Sequence, residues 1–316
     1  MEEVLILSCA ETSEGGGLYR CTLDEQGQLR PEAYLACPKP MYAVAASGRL
    51  HVLLRAPYND RENSGYFSCL TDFSGMTETE DTHGKCACHL TSDGSDVYLV
   101  NYLSGNLVKN GREVVSHTGA GPNLPRQDMP HTHFVCLSPE GQYVLSCDLG
   151  LDTVFVYDRD LHEVSRAKVP AGYGVRHLVF RPDGKGFYAV NELVPSVSTF
   201  AWHDGTAECI GTTRLPCKVP GATAAAIRYD QEESQLYVSV RGEDRIFAFD
   251  ASEDRLYPAG DAPCGGRGPR DFAILGQYIV CTNENSGNVT VIDKHTFQIF
   301  DDQAFACPLC VLKIGG

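Results

Sequence analysis

Apolar and polar positions alternate along this chain in short runs, and each run ends at a cluster of Gly, Pro, Asp or Asn. The stretch from His131 shows the unit clearly. An alternating run ends at Leu137, Pro139-Glu140-Gly141 makes a turn, and a second run covers Tyr143 to Cys147. A polar corner, Asp148 to Asp152, leads into a third run, Thr153 to Tyr157. The stretch from Val175 repeats the scheme, with its turn at Arg181-Pro182-Asp183-Gly184 and its corner at Asn191-Glu192. A period of two predicts strands, and three strands joined by tight turns predict a meander. No run carries the 3.6-residue period of a long amphipathic helix.

The unit recurs. With Arg176 as the marker, the equivalent positions are Met41, Cys88, His133, Arg176, Ala225, Arg270 and Leu309, spaced by 47, 45, 43, 49, 45 and 39 residues. All-strand repeats of roughly 40–50 residues are the signature of propeller blades, because a single blade cannot bury its own apolar faces and must stack on neighbours. The last unit stops soon after its marker. Val4-Leu5-Ile6-Leu7 and Leu18 to Leu23 are left over at the other end and supply the missing strands. The expected fold is therefore all-β: a seven-bladed β-propeller of four-stranded blades, its ring closed by N- and C-terminal strands in one blade. The repeat overrides the two domains that length alone suggests, so residues 1–316 are expected to form one domain.

Composition narrows the partners. The formal net charge is −15 and no basic stripe is visible, which argues against nucleic acid and anionic membrane surfaces. Met1-Glu2-Glu3 lacks the basic start of a secretory signal, and no apolar run approaches a membrane span, so a cytoplasmic protein with no membrane partner is expected. The 14 cysteines then read as reduced, mostly buried thiols. Cys86-Ala87-Cys88-His89 and Cys307-Pro308-Leu309-Cys310 have partial metal-ligand or redox spacing, but on a strand His89 points away from the face that Cys86 and Cys88 share, and no second C-x-x-C completes a zinc site with the other.

The chemistry sits at two equivalent positions of the repeat. The inner strands begin with His131-Thr132-His133, Arg176-His177 and Pro269-Arg270-Asp271. The corners after the second strands carry Asn191-Glu192, Val240-Arg241-Gly242 and Asn283-Glu284. A propeller gathers such positions at one mouth of its channel. Arginine offers a rigid fork of donors for carboxylate or phosphate, and His and Glu can move protons. The competing reading is that these residues only pair across blades and hold the ring. His177 is expected on the opposite face from Arg176 by strict alternation, as a structural histidine. No G-x-S-x-G elbow or phosphate-binding glycine loop is present.

These residues carry a resemblance. Gly119-Ala120-Gly121-Pro122-Asn123, Arg126-Gln127, Pro130-His131-Thr132-His133 and Asp148-Leu149-Gly150-Leu151-Asp152 succeed one another in the order of the lactonase family of seven-bladed propellers. Asn101 to Gly105, Val175-Arg176-His177-Leu178, Asn191-Glu192-Leu193 and Val238 to Gly242 extend the likeness over nearly the whole chain. The chain resembles that family, which includes 6-phosphogluconolactonases and carboxy-cis,cis-muconate lactonizing enzymes. The resemblance implies a catalytic set of His133, Arg176, Glu192 and Arg241, with His131 the alternative histidine. It also implies catalysis without a cofactor or metal, and the equivalent positions of the repeat add His131, Arg270 and Glu284 as expected substrate-binding residues. The chain departs from the family at Val240, at Ala224-Ala225-Ala226 and at Glu284, where Asn, a more polar strand and Gln are common. The partner that the resemblance implies is a small anionic lactone. The reaction it implies is hydrolysis of a sugar-acid lactone such as 6-phosphogluconolactone. A muconate-type cycloisomerase and a non-catalytic binding propeller are the alternatives.

Overall fold

The computed structural model describes residues 1–55, 61–252 and 255–314. They form seven four-stranded antiparallel sheets, each in meander order, arranged as a ring. One 3-10 turn, Thr12–Glu14, is the only helical element among the described residues. Numbered by their inner strands, blades 1 to 6 begin with Pro40–Ala46, Ala87–Ser92, Thr132–Leu137, Val175–Phe180, Thr223–Asp230 and Pro269–Leu275. Blade 7 takes its inner strand, Pro308–Lys313, from the end of the chain. Its other three strands, Glu2–Ser8, Gly17–Leu23 and Leu29–Ala36, come from the beginning. The expected closure is found, with a third N-terminal strand beyond the two foreseen. It leaves no edge between first and last blade. Outer strands such as Glu163–Lys168 and Ile299–Ala304 alternate toward solvent, whereas Val144–Asp148 and Tyr278–Asn283 are buried throughout.

Apolar clusters fill the spaces between successive blades. Phe134, Val156, Phe187 and Phe200 join blades 3 and 4, and Val4, Ile6, Val280 and Val291 join blades 6 and 7. All 14 cysteines are unpaired, nine buried and five half-buried, and all but Cys86 take part in this packing.

One backbone irregularity positions the site. In every blade the inner strand breaks register once near its start. The break skips Met41, Cys88, His133, Arg176, Arg270 and Leu309, and in blade 5 the pair Ala225-Ala226. These are the marker positions of the repeat. A bulge adds one residue to one strand and re-aims its side chain. Here it turns that residue toward the second-strand corner, the next ring of equivalent positions. Those corners carry Arg55, Tyr102, Leu149, Glu192, Arg241, Glu284 and, in blade 7, Cys9.

At the other end of the channel a cavity of about 540 Å³ is lined by Tyr42, His89, Phe134, Arg228 and apolar inner-strand residues. None of the candidate site residues lines it.

Candidate active site

Glu192 is the centre of the candidate set. Its side chain is only 4 % exposed, and three guanidinium groups converge on it. Arg126 Nη2 donates to Oε1 at 2.6 Å, while Arg176 Nε and Arg241 Nη2 each lie 3.1 Å from Oε2. The Arg176 contact is one of charge rather than a hydrogen bond. The Nε–H groups of Arg176 and Arg241 are buried with no hydrogen-bond partner among the described residues. Burial by itself would push the Glu192 carboxyl up, but the charges of Arg241, Arg176 and Arg126 outweigh it and hold the carboxyl well below its ordinary range. Glu192 is therefore an anion at any working pH.

The three arginines differ in reach. Arg176 is 3 % exposed, Arg241 19 % and Arg126 44 %. Arg176 lies underneath, with Nη1 donating to the Ala225 carbonyl at 2.7 Å. Burial and the charges of Arg241 and Arg270 push Arg176 down to about 9, which leaves it cationic at neutral pH. Arg241 and Arg126 are the donors open to a ligand.

His133 is buried beside this cluster, and its Nδ1 has no partner among the described residues. Burial, reinforced by the Arg176 charge, lowers it well below the ordinary imidazole range, so it is neutral at neutral pH. Its ring meets Tyr102 edge-on at 5.5 Å and His177 at 5.3 Å. His131 stacks flat on Tyr102 at 4.4 Å, and its ring nitrogens lie 3.0 Å from the Tyr102 carbonyl and 3.3 Å from Asp128 Oδ1. His177 does not face away as strict alternation predicts. The bulge at Arg176 resets the alternation, and Arg176 Nη1 lies 3.2 Å from both His177 ring nitrogens.

The structure thus brings His133, Arg176, Glu192 and Arg241 into one group, with His131 alongside. Arg270 and Glu284 form a second pair on blade 6, 3.1 Å apart. Among the described residues no three His, Cys, Asp or Glu side chains converge as metal ligands.

Two residues at the site have no role assigned by the repeat pattern. Tyr102 occupies the blade 2 corner and accepts a weak contact from Arg126 at 3.4 Å. Arg126 lies on the loop that leads into blade 3, outside any repeat position, and only the stretch Arg126-Gln127 points to it. That loop is pinned from both sides. Gln127 donates to the Leu149 carbonyl and to Asp152 Oδ1, and Asp152 also accepts the N–H groups of Gly172 and Gly174 on the way into blade 4. Gly150 is required here, since a Cβ would lie 2.0 Å from the Met129 carbonyl oxygen.

Fold and site together define a seven-bladed propeller whose mouth gathers arginines around a buried carboxylate, with histidines beside it. The family described as "Lactonase, 7-bladed beta-propeller" matches residues 4–303, and the chain belongs to that family. It is 26 % identical to the 6-phosphogluconolactonase of Bacillus subtilis over 312 residues, 89 % of each chain. Among solved structures it is similar to a Lactobacillus plantarum protein, with TM-score 0.89, 26 % identity and full coverage of both chains. The periplasmic gluconolactonase of Pseudomonas aeruginosa shares the fold, with TM-score 0.88 at 23 % identity over 100 % of this chain and 99 % of that one. Among the described residues no helix is long and apolar enough to cross a membrane.

Proposed function

We propose that this protein hydrolyses a phosphorylated sugar-acid lactone, 6-phosphogluconolactone, to the open acid, in the cytoplasm and as a step of sugar-phosphate oxidation. The observation that carries the reading is the convergence of Arg126, Arg176 and Arg241 on one buried carboxylate with a neutral histidine beside it. Membership of the lactonase family supports the reaction class. The phosphorylated substrate is suggested by the activity of the B. subtilis relative and by the excess of guanidinium over carboxylate at the mouth.

The lactone carbonyl lies against the open donors of Arg241 and Arg126. His133 takes a proton from water as its oxygen adds to the carbonyl carbon. The oxyanion that forms is stabilised by Arg241, with the Arg176 charge beneath it. Collapse breaks the bond to the ring oxygen, and His133 returns its proton to that oxygen, giving a carboxylic acid and a hydroxyl. Donors aimed at developing charge are worth about 3–4 kcal/mol each, and a positioned base contributes roughly 10²–10⁴-fold. Glu192 is engaged by three guanidinium groups, so its part is to fix them in place. Arg270 and Glu284 line the substrate's far side.

The test is a lactonase assay on freshly generated 6-phosphogluconolactone, with gluconolactone beside it and the spontaneous rate subtracted. Turnover of the phosphorylated lactone that is lost in Arg241→Ala and Arg176→Ala supports the assignment. A rate equal to background on both lactones overturns it.

A further inference from the structure

The corner position that holds Glu192, Arg241 and Glu284 in blades 4 to 6 holds Arg55 in blade 1. Among the described residues no carboxylate lies within ion-pair distance of Arg55, whereas the other four arginines of the mouth each have one. Its neighbours are the half-buried thiol of Cys86 and the buried thiol of Cys9.

Arg55 and Arg270 face a common space. Blade 7 stands between their blades and presents only Cys9 at its corner and Leu309 at its bulge, both buried. The thiols of Cys9, Cys88 and Cys307 each feel the charges of both Arg55 and Arg270. Two guanidinium groups therefore border a patch of small, uncharged groups. Among the described residues Glu284 is the carboxylate set against them, bonded by one nitrogen of Arg270 and acting on Arg55 through its charge. Among the described residues two cations thus share one counter-charge, in a protein of net charge −15, and this favours an anion between them.

We propose that Arg55 and Arg270 form a second anion subsite, separate from the Glu192 cluster, that takes the terminal phosphate of the substrate and sets the preference for phosphorylated over plain lactones. The choice of substrate rests on the lactonase reading, whereas the anion subsite does not. Two guanidinium forks can give several charge-assisted bonds to a phosphate dianion. Loss of one such partner is expected to cost about 10- to 100-fold in binding.

Cys86 supplies a readout that needs no turnover. Its alkylation by iodoacetamide is followed at its own peptide, with 6-phosphogluconate, gluconate or a six-carbon dicarboxylate present at matched ionic strength. The expected result is at least fivefold protection by 6-phosphogluconate alone, abolished in Arg55→Ala and partly kept in Arg55→Lys. Equal protection by gluconate or by the dicarboxylate, or protection that survives Arg55→Ala, overturns the subsite. In the kinetic arm the ratio of kcat/KM for 6-phosphogluconolactone over gluconolactone should fall 10- to 100-fold in Arg55→Ala. An unchanged ratio overturns the subsite and leaves the lactonase reading standing. If neither lactone is turned over, the lactonase reading fails, and the alkylation result alone decides the subsite.

Discussion

Arg126 Nη2 donates to Glu192 Oε1 at 2.6 Å across 66 residues of sequence, tying the loop before blade 3 to the corner of blade 4. This is the shortest of the contacts to Glu192, yet Arg126 is its most exposed partner. An ion pair with one side open to water adds little to stability, of the order of 1 kcal/mol or less. Its effect on the orientation of the carboxylate is direct. Arg126→Ala should therefore leave the melting temperature within a few degrees of wild type and lower kcat/KM on the lactone about tenfold or more. Gln127→Ala, which frees the same loop from Leu149 and Asp152, should give a milder version of the same loss. Equal activity in both variants would show that the pairing is incidental.

Glu192→Gln should behave in the opposite way. The amide keeps the volume and removes the charge that compensates Arg176, which is itself almost fully buried. Breaking a buried pair from one side costs about 3–5 kcal/mol, so a clear drop in melting temperature is expected together with loss of activity. The pH dependence identifies the cause. Because the folded-state carboxyl is held below its unfolded value of about 4.3, the stability it contributes is complete above that pH and is lost as pH falls toward the folded value. The stability gap between wild type and Glu192→Gln should thus be constant from neutral pH down to about 4.3 and narrow below it. A gap that does not narrow points to packing rather than charge.

How much of this could be read from the chain is uneven, for physical reasons. The blades were legible because a period of two interrupted by Pro-Asp/Glu-Gly turns leaves few other folds, and the spacing of the markers gave their number. His133, Arg176 and Arg270 were legible as equivalents, and Glu192, Arg241 and Glu284 likewise, because the repeat aligns them. The bulge at each marker was not. It adds a residue without changing the hydrophobic pattern much, so alternation put His177 on the wrong face. Arg55 stood in plain view after Leu53-Leu54, and continuing the corner series into blade 1 would have found it. Arg126 could not be found by that route, since it sits on a loop with no counterpart in the other blades. Its place depends on long-range bonds from Gln127 and Asp152.

Three neutral imidazoles stack through the middle of the ring. His177 meets both His89 and His133 edge-on at 5.3 Å. Burial, with help from Arg228 or Arg176, lowers all three well below the ordinary value. The unfolded chain protonates these groups near pH 6.5 while the folded protein does not. Stability should therefore be flat above about pH 6.5 and fall as pH drops below it, by up to about 1.4 kcal/mol per pH unit for each histidine. Melting curves between pH 5 and 8 test this. His89→Phe keeps the stack with Tyr42 and Phe134 and should give a shallower slope. An identical slope would mean that His89 takes up its proton in the folded state.

The closure of the ring makes the fold depend on both ends of the chain, because blade 7 is assembled from them. Pro308–Lys313 pairs with Val4 to Ser8 and contributes Leu309, Cys310 and Val311, all buried. Its Val311 N–H donates to Asp271 Oδ2 at 3.3 Å, and the same carboxylate binds Arg228 through Oδ1, which links blades 5, 6 and 7. Fully burying one aliphatic side chain is worth about 1.5–3 kcal/mol, so losing this strand removes an amount comparable with the whole stability of a typical domain. It also exposes Val4 to Leu7 as an open apolar edge, which invites pairing between chains. Truncation after Phe305 should yield an aggregating protein without a cooperative melting transition. Val311→Asp, which changes only one side chain, should lower the melting temperature sharply while the exposed pair Lys313–Glu2 can be broken by Lys313→Ala at little cost. A truncated chain that melts cooperatively would mean that six blades and three further strands suffice to hold the ring.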